Sequence, residues 1–110
     1  MLFDTKSADN ELNINIPKLK QSRSFHSSCS IEGTCFVFGG TNVKDKALQS
    51  IESLTILTDG TPKDKEWSIM NLKNFTPRSS PLMVSFGDKV LIAGGYNRGS
   101  LSDGIMLDMF

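Results

Sequence analysis

Short apolar runs stopped by glycine pairs set the pattern of the chain. CFVFGG, from Cys35 to Gly40, and VLIAGG, from Val90 to Gly95, are rich in aromatic and β-branched residues. Their length and composition predict buried strands. Just before them, Phe25 to Ile31 and Leu82 to Phe86 are further strand candidates, joined to the apolar runs through Glu32-Gly33 and Gly87-Asp88. A two-residue link containing glycine suits a tight hairpin, whose turn needs positive φ. Ile51 to Leu57 and Ile105 to Phe110 follow the polar loops after the glycine pairs and predict third strands. A fourth strand begins at Trp67 and continues through Ile69. Its counterpart runs from Leu12 to Ile16, where Leu12, Ile14 and Ile16 alternate with polar residues. Lys46 to Leu57 also admits an amphipathic helix, but Thr55, Ile56 and Thr58 favour strand, and the matching Ser102 to Phe110 contains Gly104.

These elements recur at one spacing. Arg23-Ser24 falls on Arg78-Ser79, Gly39-Gly40 on Gly94-Gly95 and Asn42 on Asn97, each a step of 55 residues (78 − 23, 94 − 39, 97 − 42). The same step places Leu2 on Leu57, Asp4 on Asp59, Asp9 on Asp64, Glu11 on Glu66, Ile14 on Ile69, Lys18 on Lys73 and Ser30 on Ser85. It also sets Ile51 against Met106, with no gap required. These are 12 identities in 55 positions, against roughly three expected for unrelated segments of ordinary composition. Four short strands in a repeat of this size indicate an all-β protein built of blades or stacked units.

Composition narrows the function classes. Twelve Lys plus Arg balance twelve Asp plus Glu in 110 residues, with no long run of either sign. No electrostatic footprint for a nucleic acid or an anionic membrane is present. No stretch approaches the roughly 20 apolar residues of a membrane helix, and Met1 is followed by Leu2-Phe3-Asp4 rather than by a basic segment and an apolar core. A cytoplasmic or cytoskeleton-associated protein is the expected location. Cys29 and Cys35 lack CxxC spacing, and one His is too few to complete a zinc site with them. With Glu32-Gly33 as the hairpin loop, Ser30 faces Cys35 and Cys29 faces Phe36. The two thiols then lie on opposite sheet faces and are expected buried and reduced.

Each unit resembles a kelch repeat, whose pattern is an Arg-Ser opening, a hairpin, an apolar strand ending in Gly-Gly, a variable loop, a third strand, and a Trp opening the fourth. The best copy runs from Arg23 through Gly39-Gly40 to Trp67, and the second begins at Arg78 and carries Gly94-Gly95. The chain departs from the pattern at Leu12, which stands at the Trp position of the leading fragment. It departs again at Thr58, where an aromatic residue is usual before the Asp; Phe3 holds that place in the other copy. The resemblance implies a partial kelch-type β-propeller of four-stranded antiparallel blades, one complete blade flanked by two partial ones. Residues 1–22 would end a preceding blade, 23–77 form a complete repeat with its connecting loop, and 78–110 supply the first three strands of the next. The glycine pairs and Trp67 are expected to be packing devices. Arg23 and Arg78 are expected to tie blades together through backbone acceptors rather than to touch a ligand.

A propeller needs about four blades to close. Three readings follow from the phase: a fragment of a longer protein with more blades in the same chain, several chains assembled into one ring, or an open pair of blades. The first is favoured, because two blades alone would expose broad apolar faces.

Catalytic machinery is not evident. No GxSxG elbow occurs, His26 has no carboxylate nearby in sequence, and neither glycine pair has the spacing of a phosphate loop. No cofactor or metal is expected. In kelch domains the loops after the glycine pairs and those leading into the Arg-Ser openings lie on one ligand-binding face. Here these are Thr41 to Ser50, Tyr96 to Ser102, Pro17 to Arg23 and Leu72 to Arg78. Tyr96, Asn97 and Arg98 form the leading contact cluster for an acidic or polar peptide, with Asn42, Lys44 and Lys46 as equivalents in the neighbouring blade. A solvated loop with Asn97 in a turn accounts for the same residues. The resemblance implies a non-catalytic protein-protein interaction module, a scaffold or substrate adaptor. The alternative is a segment of a propeller oxidase, isomerase or epimerase whose catalytic residues lie in other blades.

Overall fold

A computed structural model describes residues 14–109. Seven strands and no helix make up the described residues: β1 (Ser27–Ile31), β2 (Thr34–Phe38), β3 (Ser50–Thr55), β4 (Ser68–Asn71), β5 (Leu82–Phe86), β6 (Lys89–Ala93) and β7 (Gly104–Asp108). They form two antiparallel sheets with strands in chain order, β1-β2-β3-β4 and β5-β6-β7. Among the described residues no helix is long and apolar enough to cross a membrane.

Local chemistry accounts for the strand ends. The β1–β2 hairpin turns through Glu32 and Gly33, both at positive φ (45° and 86°), which matches the right-handed twist of the strands it joins. β1 opens at Ser27 rather than Phe25, because Phe25 sits at φ 57° and is not extended. The proposed leading strand is not observed. Leu12 and Asn13 lie outside the described residues, and Ile14 to Ile16 belong to no strand. No neighbouring strand among the described residues offers them a ladder, and the Ile14 side chain lies over Gly60 instead. The last strand is Gly104–Asp108, and Phe110 lies outside the described residues. The 46–57 segment is strand β3 preceded by a loop, not helix.

The repeat also needs a gap. Phe38 pairs with Ile51 in the first sheet, and its equivalent Ala93 pairs with Gly104 in the second. The step is therefore 55 through β2 and β6 but 53 (104 − 51) beyond them. The loop closed by Tyr96 and Ser100 is two residues shorter than the one closed by Thr41 and Ala47. Ile51 corresponds to Gly104 and Met106 to Ser53, so the ungapped match of Ile51 with Met106 does not hold.

The two sheets pack face to face. Alternation sends Ile31, Phe36, Phe38 and Ile51 from the first sheet against Met83, Val90 and Ile92 of the second, with Leu72 and Phe75 of the connecting segment completing the core. Phe38, Val90 and Ile92 are wholly buried, and each such side chain contributes roughly 1.5–3 kcal/mol by leaving water. The opposite face of the first sheet carries Val37, Leu54 and Trp67, packed with Leu19, Cys35 and Ile56. Trp67 Nε1 donates to the Pro17 carbonyl at 2.8 Å, which holds the leading segment on that face. Cys29 faces Phe36 and Cys35 faces Ser30, so the thiols lie on opposite faces; both are half-buried and unbonded to each other.

Candidate partner-binding face

Two arginines organise the loop end of each sheet in the same way. Arg23 Nη1 donates to the carbonyls of Gly39 (3.1 Å) and Ser50 (3.0 Å). Arg78 Nη1 donates to the carbonyls of Gly94 (2.9 Å) and Asp103 (3.5 Å). Each guanidinium therefore bridges the end of its sheet's second strand to the start of the third. The side chains tie strands within one blade; Arg78 links the blades through its main chain, alongside the bond from Ser80 N–H to Phe25 O at 2.7 Å. The Arg78 carbonyl accepts from Gly40 N–H at 2.9 Å and the Arg78 N–H donates to Leu48 O at 3.1 Å.

The arginines differ in their acids, which the ungapped repeat hides. Arg23 Nη2 donates to Ser50 Oγ (2.8 Å) and to Glu52 Oε2 (2.6 Å), and both side chains of this ion pair are fully buried. Glu52 also accepts from the main-chain N–H groups of Lys20 (2.6 Å) and Gln21 (3.2 Å), which draws the leading segment onto the sheet. Arg78 instead takes Asp103 through both carboxylate oxygens at 2.8 and 3.1 Å. It also stacks over the Phe75 ring at 3.8 Å. Asp103 is the structural equivalent of Ser50 at the step of 53, so only an alignment with the two-residue gap would reveal the pairing. The donated hydrogen bond from Arg78, then its charge, holds the Asp103 carboxyl below the usual carboxylate range.

Four loops gather at this end. A cleft of about 460 Å³ lies between the sheets, lined by Thr41, Asp45, Lys46 and Ala47 from one loop, Tyr96, Asn97 and Arg98 from another, and Pro77 and Ser79 between them. A neighbouring hollow joins Gln21, the 47–49 loop, Asn71 and Lys73. Lys46, Tyr96, Asn97 and Arg98 thus share one cleft. Asn42 and Lys44 do not line it. The Asn42 side chain accepts from the N–H groups of Lys44 and Lys46 (2.9 and 3.1 Å), so it shapes its own turn. Asn97 has a structural role too, since its Nδ2 donates to the Pro77 carbonyl at 2.8 Å. Lys46 and Arg98 make no ion pair among the described residues. Tyr96 is 57% exposed beside them. Among the described residues no group of three or more His, Cys, Asp or Glu side chains converges on a point where a metal ion would bind.

Antiparallel sheets in chain order, repeated and stacked face on face, with arginine-clasped loops at one end, define a blade-repeat protein of the propeller class. Residues 22–59, from the residue before Arg23 through β3, match the family model of the Kelch motif, and the four-stranded and three-stranded antiparallel sheets are consistent with kelch blades. No curated protein matches the chain.

Proposed function

We propose that this chain is a non-catalytic protein-interaction module that takes a protein or peptide partner on the loop face, as a scaffold or substrate adaptor in the cytoplasm or along the cytoskeleton. The observation that carries the reading is the cleft where the 41–47 and 96–98 loops meet, with Lys46, Arg98 and Tyr96 exposed on a framework of buried arginine clasps. Kelch repeats commonly serve as interaction modules, which supports the same reading. Tyr96 supplies apolar area, and the two cations suit an acidic or hydrogen-bonding segment. Asn42, Lys44 and Asn97 frame the loops that present them. In this reading residues 23–77 form a complete repeat, 1–22 end the blade before it and 78–110 begin the blade after it.

Arg98→Ala tests the site. Arg98 makes no side-chain bond within the described residues, so the folded chain should keep its circular dichroism and melting curve. Partner capture by the chain should fall, because an exposed cation is lost from the cleft. Unchanged capture removes Arg98 from the proposed site.

A further inference from the structure

Two glutamines line the hollow beside the cleft, and each is held by one end of its amide. The Gln21 Oε1 accepts from Arg23 Nη2 at 3.3 Å and from the Ser50 hydroxyl. A guanidinium can only donate, so the oxygen is the held end and the Nε2 donor is the free one. Gln49 is fixed in the opposite sense. Its Nε2 donates to the Leu72 carbonyl at 2.9 Å, and its main-chain carbonyl accepts from Leu72 N–H at 3.0 Å. A carbonyl can only accept, so here Oε1 is the free end. Neither free end has a hydrogen-bond partner among the described residues, and neither is sealed from water. The hollow, about 410 Å³, thus holds one oriented donor and one oriented acceptor. Ala47 lines both this hollow and the cleft of Lys46, Tyr96 and Arg98, so the two adjoin.

The repeat shows that the fold does not require these amides. Gln21 corresponds to Thr76 at the step of 55 (76 − 21), and Gln49 to Ser102 at the step of 53 (102 − 49). With short hydroxyl residues at both places, Arg78 still clasps the Gly94 and Asp103 carbonyls. What a fixed donor and a fixed acceptor match is a peptide main chain. In an extended segment the C=O and N–H of one residue point to the same side, as they do in a hydrogen-bonded pair of an antiparallel ladder. Gln21 Nε2 suits that C=O and Gln49 Oε1 that N–H. Because both amides are already held, binding orders little further side chain.

We propose that the Gln21–Gln49 hollow is a subsite for the main chain of an extended peptide whose acidic side chains lie in the adjoining cleft. The proposal rests on the reading of the loop face as a peptide-binding surface. Lys46 and Arg98 read charge, and the two amides read the extended backbone.

NMR titration of the isotope-labelled 110-residue chain with capped hexaglutamate, a peptide kept extended by its own charge, tests the proposal. The side-chain amide signals of Gln21 and Gln49 and the main-chain amides of Tyr96 and Arg98 should shift together along one binding curve. Gln21→Thr and Gln49→Ser install the second blade's residues, so the folded spectrum should persist. Each should weaken binding by about three- to tenfold, the loss of roughly one hydrogen bond. Fully N-methylated hexaglutamate keeps every carboxylate but has no main-chain N–H donors, and it should bind the wild-type chain more weakly by a similar factor. Shifts at Tyr96 and Arg98 without shifts at Gln21 and Gln49 overturn the subsite and leave the cleft standing. Equal affinity for the methylated peptide also overturns it, since carboxylates alone would then be read. Shifts at the two glutamines alone support the main-chain subsite and remove the cleft, and a spectrum unmoved everywhere removes both.

Discussion

The carbonyl oxygen of Arg78 occupies the space beside Gly39 that a side chain would need, 2.5 Å from where a Cβ would stand. Gly39 is at φ 73° and Gly40 at φ 92°, and a Cβ on Gly40 would lie 2.4 Å from Ser24 O. The glycine pair is thus the point where the first blade's second strand lets two other main-chain segments in, one from its own blade and one from the next.

Gly39→Ala is expected to destabilise the chain by about 3 kcal/mol or more. The left-handed conformation alone costs about 1–2 kcal/mol for alanine, and the clash with backbone displaces the arginine that joins the blades. Gly87→Ala is the control. It also has positive φ (55°), but nothing lies within 4 Å of its Cβ position, so the loss should stay near the conformational term alone. Urea midpoints of the two variants make the comparison; equal losses would show that steric room at Gly39 is not what matters.

Glu52 and Asp103 serve equivalent arginines in different surroundings, and their removal should differ accordingly. Arg23 and Glu52 are both fully buried. Glu52→Ala strands a buried guanidinium and releases the Lys20 and Gln21 amides, at an expected cost of about 3–5 kcal/mol. The Asp103 carboxylate is 57% exposed. Asp103→Ala should cost far less, because water reaches the vacated position and Arg78 keeps the Gly94 and Thr76 carbonyls and the Phe75 ring. Chemical denaturation of both variants checks the order.

Acid should loosen the second blade through Asp103. Its carboxyl is held below the ordinary value by Arg78, so the folded state binds that proton less readily than the unfolded chain. The stabilisation is present above the unfolded carboxylate pKa of about 4 and is lost as pH falls through the lower folded value. Asp59 adds to the same slope, its carboxyl lowered chiefly by the Thr61 hydroxyl. Asp103→Asn should therefore flatten part, not all, of the decline in stability below about pH 4. A variant whose pH dependence superimposes on wild type would exclude Asp103 from it.

Much of this architecture was legible because blade strands are short and sharply punctuated. Leu82 to Phe86 and the Glu32-Gly33 hairpin are where turn chemistry and apolar alternation place them. What escaped depended on partners distant in sequence. Phe25 reads as strand by residue type, yet it sits at positive φ, where its carbonyl accepts from the distant Ser80 N–H. Ile14 to Ile16 alternate like a strand, but alternation makes no ladder without a neighbour. Glu52 sits in an ordinary strand run, and nothing local shows that Arg23, 29 residues away, ends on it. The loop cluster was implied by the resemblance to kelch repeats, whereas the engagement of Asn42 with the amides of its own turn, and of Asn97 with the Pro77 carbonyl 20 residues away, was decided by backbone geometry.

The hairpin register also fixes the behaviour of the cysteines. Cys29 pairs with Phe36 and Cys35 with Ser30, so the two side chains leave the sheet on opposite faces. A one-residue slip would exchange the faces of one strand, exposing Phe36 and Phe38, which the buried face forbids. Burial, and secondarily the nearby Cys35, pushes the Cys29 thiol above its ordinary value. Its thiolate is the nucleophile, so Cys29 should react with a maleimide more slowly than free cysteine at neutral pH, and more slowly in the folded chain than in denaturant. Without reductant the folded chain should keep two titratable thiols. Mass spectrometry showing a loss of two hydrogens and a Cys29–Cys35 bridge in the native chain would mean that this register is wrong.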